Sequence, residues 1–258
     1  MRLILAAFLL FSTQALSGQT LEEKTPALGQ LVDKSLEGEI EFIKLYEECE
    51  RLWFDHRPFE CDDPELTGSE QQRCRECEIA ALYEGYWEVV GNGCSWYCGG
   101  GLDTITATSH LMPHNKISYS PRNIHDLSYK TAWIEGVPGY GIGESVTFHF
   151  PPQSPRITEI IVVNGYVKSL RTWKQNSRVK KLKMHLNEKP FAILHLADSR
   201  QKQHFRFPPI GYNDREDYDK LSEAPWWTIR FEIMEVYEGD KYDDTAITEI
   251  YFDGIDVH

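Results

Sequence analysis

The sequence predicts a mainly β chain: a jelly-roll β-sandwich preceded by a small disulfide-stapled α-helical module. Three observations carry this. Past residue 101 the apolar positions recur at period two, with Gly, Pro, Asn and Asp between the runs. All six cysteines fall between Cys49 and Cys98. The charge divides at the same place. Gly18 to Gly100 holds 19 Asp and Glu against 7 Lys and Arg, a net of -12, whereas Gly101 to His258 nets -2, out of -13 for the 258 residues. An acidic chain lacks the basic footprint of nucleic-acid binding, and ordinary globular composition excludes a mainly disordered or fibrous state.

Residues 1–17 (MRLILAAFLLFSTQALS) read as a signal peptide. Arg2 is the positive n-region, Leu3 to Phe11 the apolar run, and Ala15 and Ser17 the small residues before a cut at Gly18. The apolar run is too short for the roughly 20 residues of a membrane-spanning helix, and no later stretch is long enough. The expectation is a secreted, periplasmic or extracellular protein with no transmembrane segment.

Residues 18–100 form the expected acidic cysteine-rich helical module. Leu31, Val32, Leu36, Ile40, Ile43, Leu45, Tyr46 and Leu52 give mostly helical spacing. A second helix is expected over 69–90, with Ser69 as N-cap and Ile79, Leu82, Tyr83, Tyr86 and Trp87 as its apolar face. Export favours disulfides among Cys49, Cys61, Cys74, Cys77, Cys94 and Cys98, in a pairing the sequence leaves open. Zinc on Cys74-x2-Cys77 and Cys94-x3-Cys98 is the competing reading. The boundary is Cys98-Gly99-Gly100-Gly101.

Residues 101–258 are the expected sandwich. Its strands are read at Ile105–Thr108, Ser145–Phe150, Ile157–Val163, Val179–Leu186, Phe191–Ala197, His204–Phe207, Thr228–Met234 and Ala246–Phe252. Asn187-Glu188-Lys189-Pro190 reads as a hairpin turn and 213–225 as a polar loop. Of Trp226 and Trp227, one is expected to face in and one out. The glycines of Gly136-Val-Pro-Gly-Tyr-Gly-Ile-Gly-Glu144 do not fit a dinucleotide fingerprint, because a strand follows them where a helix is required. They read as a shaped loop at the sandwich edge. His110, His114 and His125 have no fixed metal-ligand geometry, and no hydrolase elbow, P-loop or zincin helix is present.

Several stretches of the second half carry a family pattern. They are Ala107-Thr-Ser109, His125-Asp-Leu-Ser-Tyr-Lys-Thr-Ala-Trp133 and Gly141-Ile-Gly-Glu144. They continue with Asn164-Gly-Tyr166-Val-Lys168-Ser, Asn176-Ser-Arg178-Val-Lys-Lys-Leu-Lys183 and Lys241-Tyr-Asp-Asp-Thr-Ala-Ile-Thr-Glu-Ile250. With these, residues 104–256 resemble the discoidin-like (coagulation-factor C-type) β-sandwiches, and more specifically the NADase-type glycan-binding (translocation) domain. The resemblance leans bacterial. It implies a sandwich that binds carbohydrate, a cell-surface or extracellular glycan, rather than an enzyme. The glycohydrolase of the family name belongs to a separate catalytic domain, for which the reading above leaves no span. The resemblance also implies a structural calcium on Asp126, Thr131 and Glu249, although the glycine that often follows the Asp is Leu127 here.

Sugar recognition needs aromatic faces and planar polar groups. Tyr140, Glu144, Tyr166, Asp243 and Asp244 are the principal glycan-binding candidates, with Glu135, Asn164, Lys168, Arg178 and Tyr242 beside them. Trp133 is expected in the core. The alternatives are a module that binds a protein partner or membrane surface at the cell envelope and, third, a hydrolase acting on a glycoside or NAD.

Overall fold

The computed structural model describes residues 21–32, 49, 67–82, 95–99, 101–115 and 117–256, and side chains within them except those of 76 and 78–82. The expected signal peptide, most of the first expected helix, Cys61 and Cys94 lie outside the described residues. The strands are β1 (Glu22–Lys24), β2 (Ala27–Leu31), β3 (Thr104–Ala107), β4 (Trp133–Ile134), β5 (Ser145–Phe150), β6 (Arg156–Asn164), β7 (Ser177–Leu186), β8 (Lys189–His195), β9 (Gln201–Ile210), β10 (Trp227–Tyr237) and β11 (Thr245–Ile255). The helices are α1 (Gly68–Leu82), α2 (Leu170–Gln175) and α3 (Tyr218–Ser222), with 3-10 turns at Trp96–Cys98 and Pro121–His125.

The hydrogen-bonded order is β2-β9-β6-β11-β7-β10-β5-β3, with β4 on β11, and β8 between β7 and β1. Two layers arise because β11 and β7 touch only at Thr245–Ser177 and Ala246–Arg178, where they run parallel. Elsewhere β11 pairs antiparallel with β6, and β7 antiparallel with β10 and β8. Between the layers lie Ile160, Val162, Phe205, Ile250 and Phe252 from one side and Val146, Phe148, Leu182, Met184 and Phe231 from the other. Aromatic rings knit them together: Phe148 meets Phe252 edge-on at 5.2 Å, and Phe150 stacks on Trp227 at 4.2 Å. Each such buried ring contributes about 1.5–3 kcal/mol. Trp133 is buried as expected, and its indole N–H donates to Ser109 O at 3.0 Å. Trp227 is buried and Trp226 is 53% exposed, the expected division.

β6 is buried on both faces. Ile160 and Val162 enter the main core, while Ile161 and Val163 join Tyr129, Val167, Tyr251 and Val32 in a second cluster. Asn187 and Glu188, with φ of 47° and 62°, make the two-residue turn between β7 and β8, the left-handed pair that matches strand twist.

Three features differ from the expectations. Leu31 ends a strand rather than opening a helix. β1 pairs parallel with β8 and β2 antiparallel with β9, so residues 21–31 bridge the edges of both layers. Helix α1 is capped by Thr67, not Ser69. The Thr67 hydroxyl accepts the Glu70 N–H at 3.4 Å while the Glu70 carboxylate accepts the Thr67 N–H at 2.7 Å, a reciprocal capping box. Residues 170–175 and 218–222 are short helices where loops were expected, each started by a side-chain cap: Ser169 on the Thr172 N–H and Asp217 on the Lys220 N–H.

Cys49 and Cys77 form a disulfide with Cα atoms 5.4 Å apart, and Cys74 is also disulfide-bonded. With both cysteines of the first knuckle oxidised, the zinc reading has no ligand set. The Cys98 sulfur accepts the Ser95 N–H at 3.3 Å.

Candidate functional site

Two loops at one end of the sandwich carry most of the expected glycan residues. In the 135–144 loop, Gly139, Gly141 and Gly143 take φ of 92°, 64° and 93°, and a Cβ on Gly141 would run into the Glu135 side chain. Only glycine fits there. Glu135 is wholly buried. Its carboxylate accepts the Val137 N–H at 2.9 Å and the Thr245 N–H at 3.1 Å, tying the loop to the start of β11. The Thr245 hydroxyl adds a bond to Tyr140 O at 2.8 Å. Burial pushes the Glu135 carboxyl above the usual range, against the pull of the two N–H donors, and Asp244 and Glu144 add repulsion.

The same charges show what lies together. The Tyr140 phenol is raised by its partial desolvation and then by Glu238 and Asp243. Asp244 is raised by burial and by Asp243. Tyr119 is raised by burial, Tyr242 and Asp244. Tyr166 is pushed up to about 12 by burial, then by Tyr119 and Asp126. Tyr140, Glu144 and Glu135 on one loop thus lie near Asp243 and Asp244 on the other, beside Tyr242, which is 39% exposed with Lys241 Nζ 4.7 Å from its ring. Tyr166 is buried against Ala132, Ile134 and Ala246, with its hydroxyl donating to Lys130 O at 3.2 Å. Glu144 accepts the Thr108 hydroxyl at 2.6 Å.

The remaining candidates are placed elsewhere or otherwise engaged. Asn164 is fully buried and pairs its amide with both backbone groups of Val179, at 2.7 and 3.0 Å. Arg178 forms a two-pronged pair with Asp198 at 3.0 and 2.9 Å, and its third nitrogen serves Asn176 O and Glu238 O. Both side chains hold the framework. Lys168 is half-buried, with no described contact to the patch. Tyr119 and Glu238 join the patch unforeseen. Tyr119 sits in a stretch without strand periodicity, and Glu238 opens a turn whose packing on α2 is set by backbone bonds from Asp240 and Tyr242 to Lys174 O and Gln175 O.

A second constellation lies beside it. The Thr131 hydroxyl donates to Asp126 at 2.6 Å. The Ser128 N–H is shared between Asp126 at 3.1 Å and Glu249 at 3.0 Å. Glu249 is fully buried, and its Oε2 has no hydrogen-bond partner. Burial raises its carboxyl well above the usual range, and Asp126 raises it further. Leu127 stands at φ 59°, the left-handed region that costs a side-chain-bearing residue roughly 1–2 kcal/mol. The three residues expected to hold calcium are thus assembled: hard oxygen donors with one buried carboxylate oxygen unsatisfied, a set that fits that ion. His110, His114 and His125 are not assembled. No group of three or more His, Cys, Asp or Glu suited to a metal occurs among the described residues. The His125 ring packs on Phe148 and Phe252, donates to Ile250 O at 2.7 Å, and is held down to about 4 by burial.

Residues 96–253 match the family described as NAD glycohydrolase translocation F5/8 type C domain. The chain belongs to this family. No curated protein matches the chain. Among solved structures, it is similar to the CBM32-1 and CBM32-2 domains of Clostridium perfringens ZmpB in complex with GalNAc, at 11% identity and TM-score 0.41, covering 60% of this chain and 33% of that one. It is also similar to the arabinofuranosyltransferase AftD from Mycobacteria, at 14% and 0.40, covering 62% and 11%. A Ruminococcus gnavus GH29 fucosidase in complex with fucose matches at 10% and 0.35, covering 74% and 32%. The chain spans about a third or less of the length of each. No helix among the described residues is long and apolar enough to cross a membrane.

Proposed function

We propose that this chain is a secreted, non-catalytic carbohydrate-binding protein that takes a cell-surface or extracellular glycan at the 135–144 and 238–244 loops. The observation that carries the reading is the convergence of Tyr140, Tyr242, Asp243, Asp244 and Glu144 at one end of a family sandwich. The tyrosine rings offer flat faces to the C–H side of a sugar, and the carboxylates accept its hydroxyls. Glu135 and Tyr166 position the loops from below.

Asp126, Thr131 and Glu249 would hold a calcium ion. When bound, the ion supplies positive charge to a buried carboxylate and fixes the 126–131 turn to β11. Since β11 begins at the glycan loops, this turn and the loops share one strand. Export is supported by the disulfide-bonded Cys49, Cys74 and Cys77.

A glycan array probed with the mature chain, with calcium and with chelator, tests this reading. Saturable binding to a sugar class is expected, weakened about tenfold by Asp243→Ala or Tyr242→Ala, on the scale of a contact worth over 1 kcal/mol. Absence of binding to any sugar under either condition overturns it. A protein partner recovered stoichiometrically without competition by sugar would favour the envelope-interaction alternative. Hydrolysis of a glycoside or NAD, abolished by Glu144→Gln, would overturn the non-catalytic reading.

A further inference from the structure

A groove runs between the edge strand β3 and the 3-10 turn at Pro121–His125. It has a volume of about 190 Å³, smaller than the roughly 300–1,000 Å³ that accepts drug-sized ligands. That is room for one small ring, not an oligosaccharide. One wall is apolar: Leu102 and Ile105, both partly buried against the main core. The polar lining includes Asp103, Arg122 and Asp126.

Arg122 supplies the groove's guanidinium. Arg156, Arg178, Arg206, Arg215 and Arg230 each hold a carboxylate. Arg122, exposed at the groove, makes no hydrogen bond or ion pair among the described residues. The neighbouring carboxylates are engaged elsewhere. Asp103 accepts the Thr104 hydroxyl at 2.8 Å, and Asp126 accepts Ser128 N–H and Thr131 hydroxyl. A guanidinium presents a planar fork of donors that matches a carboxylate two-on-two.

We infer that this groove is a second ligand site, specific for a single carboxylate-bearing sugar ring of the uronic-acid class. The sugar carboxylate would pair with Arg122, the C–H face of the ring would lie on Leu102 and Ile105, and a ring hydroxyl would donate to Asp103. Each wall selects. A neutral hexose leaves the guanidinium unpaired. A small inorganic anion leaves the apolar wall unused and meets Asp103 without a hydroxyl to offer it. This inference does not depend on the glycan reading of the 135–144 and 238–244 loops.

The test is an NMR titration of the mature chain with methyl β-glucuronide, methyl β-glucoside and sodium acetate at low salt. The glucuronide is expected to saturate at least tenfold tighter than either control, with shifts at residues 102–105 and 122–126 rather than 238–244. Arg122→Ala should drop its affinity to the glucoside level and Arg122→Lys should give a partial loss. Asp103→Asn, which lifts the repulsion but keeps an acceptor, should tighten it. Tyr242→Ala should leave it unchanged. Because Arg122 is exposed and unpaired, the variants should keep the wild-type Tm. Equal affinity for glucuronide and glucoside, acetate as tight as glucuronide, full binding by Arg122→Ala, shifts centred on 238–244, or no saturation would each overturn the inference.

Discussion

Glu135 and Glu249 are the two carboxylates that the described sandwich buries completely, and they are finished differently. Glu135 has a backbone N–H on each oxygen. Glu249 has one oxygen on Ser128 and the other on nothing. Both carboxyls are raised by burial, but Glu249 is raised further and has Asp126 against it. A buried charge is tolerated when its hydrogen-bonding capacity is filled and is costly when it is not. Glu135 is therefore a completed structural clamp. Glu249 is left incomplete, and a cation is the group proposed to complete it.

The comparison can be broken most sharply at Glu135. Glu135→Ala leaves the Val137 and Thr245 N–H groups buried without acceptors and should cost about 3 kcal/mol in chemical denaturation, with or without calcium. Glu135→Gln should also destabilise, because its amide nitrogen faces an N–H donor. A loss under ~0.5 kcal/mol for both would mean that the clamp is not what holds the loop.

Calcium gives the next effect. At a concentration about a hundred times its dissociation constant, it should stabilise the wild type by roughly 2.7 kcal/mol, read as a rise in Tm that chelator reverses. Glu249→Gln should abolish that rise. The same change should stabilise the calcium-free protein by about 1 kcal/mol, since it removes an incompletely satisfied buried charge. The opposite signs of the two glutamine variants without calcium separate a clamp from a vacancy for charge. Equal signs would erase the distinction.

The smallest effect is on pH dependence. The folded-state carboxyl of Glu135 lies above its unfolded value, so the folded chain holds the proton more tightly. The stability this contributes is complete below the unfolded value and falls as pH rises through the folded one. Denaturation of wild type and Glu135→Gln across that interval should show the wild-type advantage shrinking as pH rises. A growing advantage would mean that the two N–H donors outweigh burial.

The sandwich was legible because inward residues such as Val146, Phe148 and Phe150 alternate along their strands, and because β6, buried on both faces, reads as an unbroken apolar run. β1 and β2 were not legible. Their side chains are mostly exposed, and they are held by backbone pairing, which leaves no periodic trace. Thr67-x-x-Glu70 is a readable capping box two residues ahead of Ser69. The loop placement of Tyr140, Tyr242, Asp243 and Asp244 was legible because aromatics and carboxylates cluster there between Gly- and Asp-rich breaks. Asn164 and Arg178 misled because a polar side chain that satisfies backbone inside a sandwich has the same composition as one that meets a ligand. Tyr119 reaches the patch only through the folding of a long irregular segment.

Val32 is buried in the second cluster and Trp96 in the main core, so the chain is pinned to the sandwich on both sides of residues 33–94. Topologically, the acidic, cysteine-bearing stretch is an insertion between two anchored points, not a bead on an N-terminal string. A protease that cuts once at Gly99–Gly101 would not release it: residues 21–32 would keep it docked. Separating the two parts takes two cuts between the anchors, one after Val32 and one before Trp96.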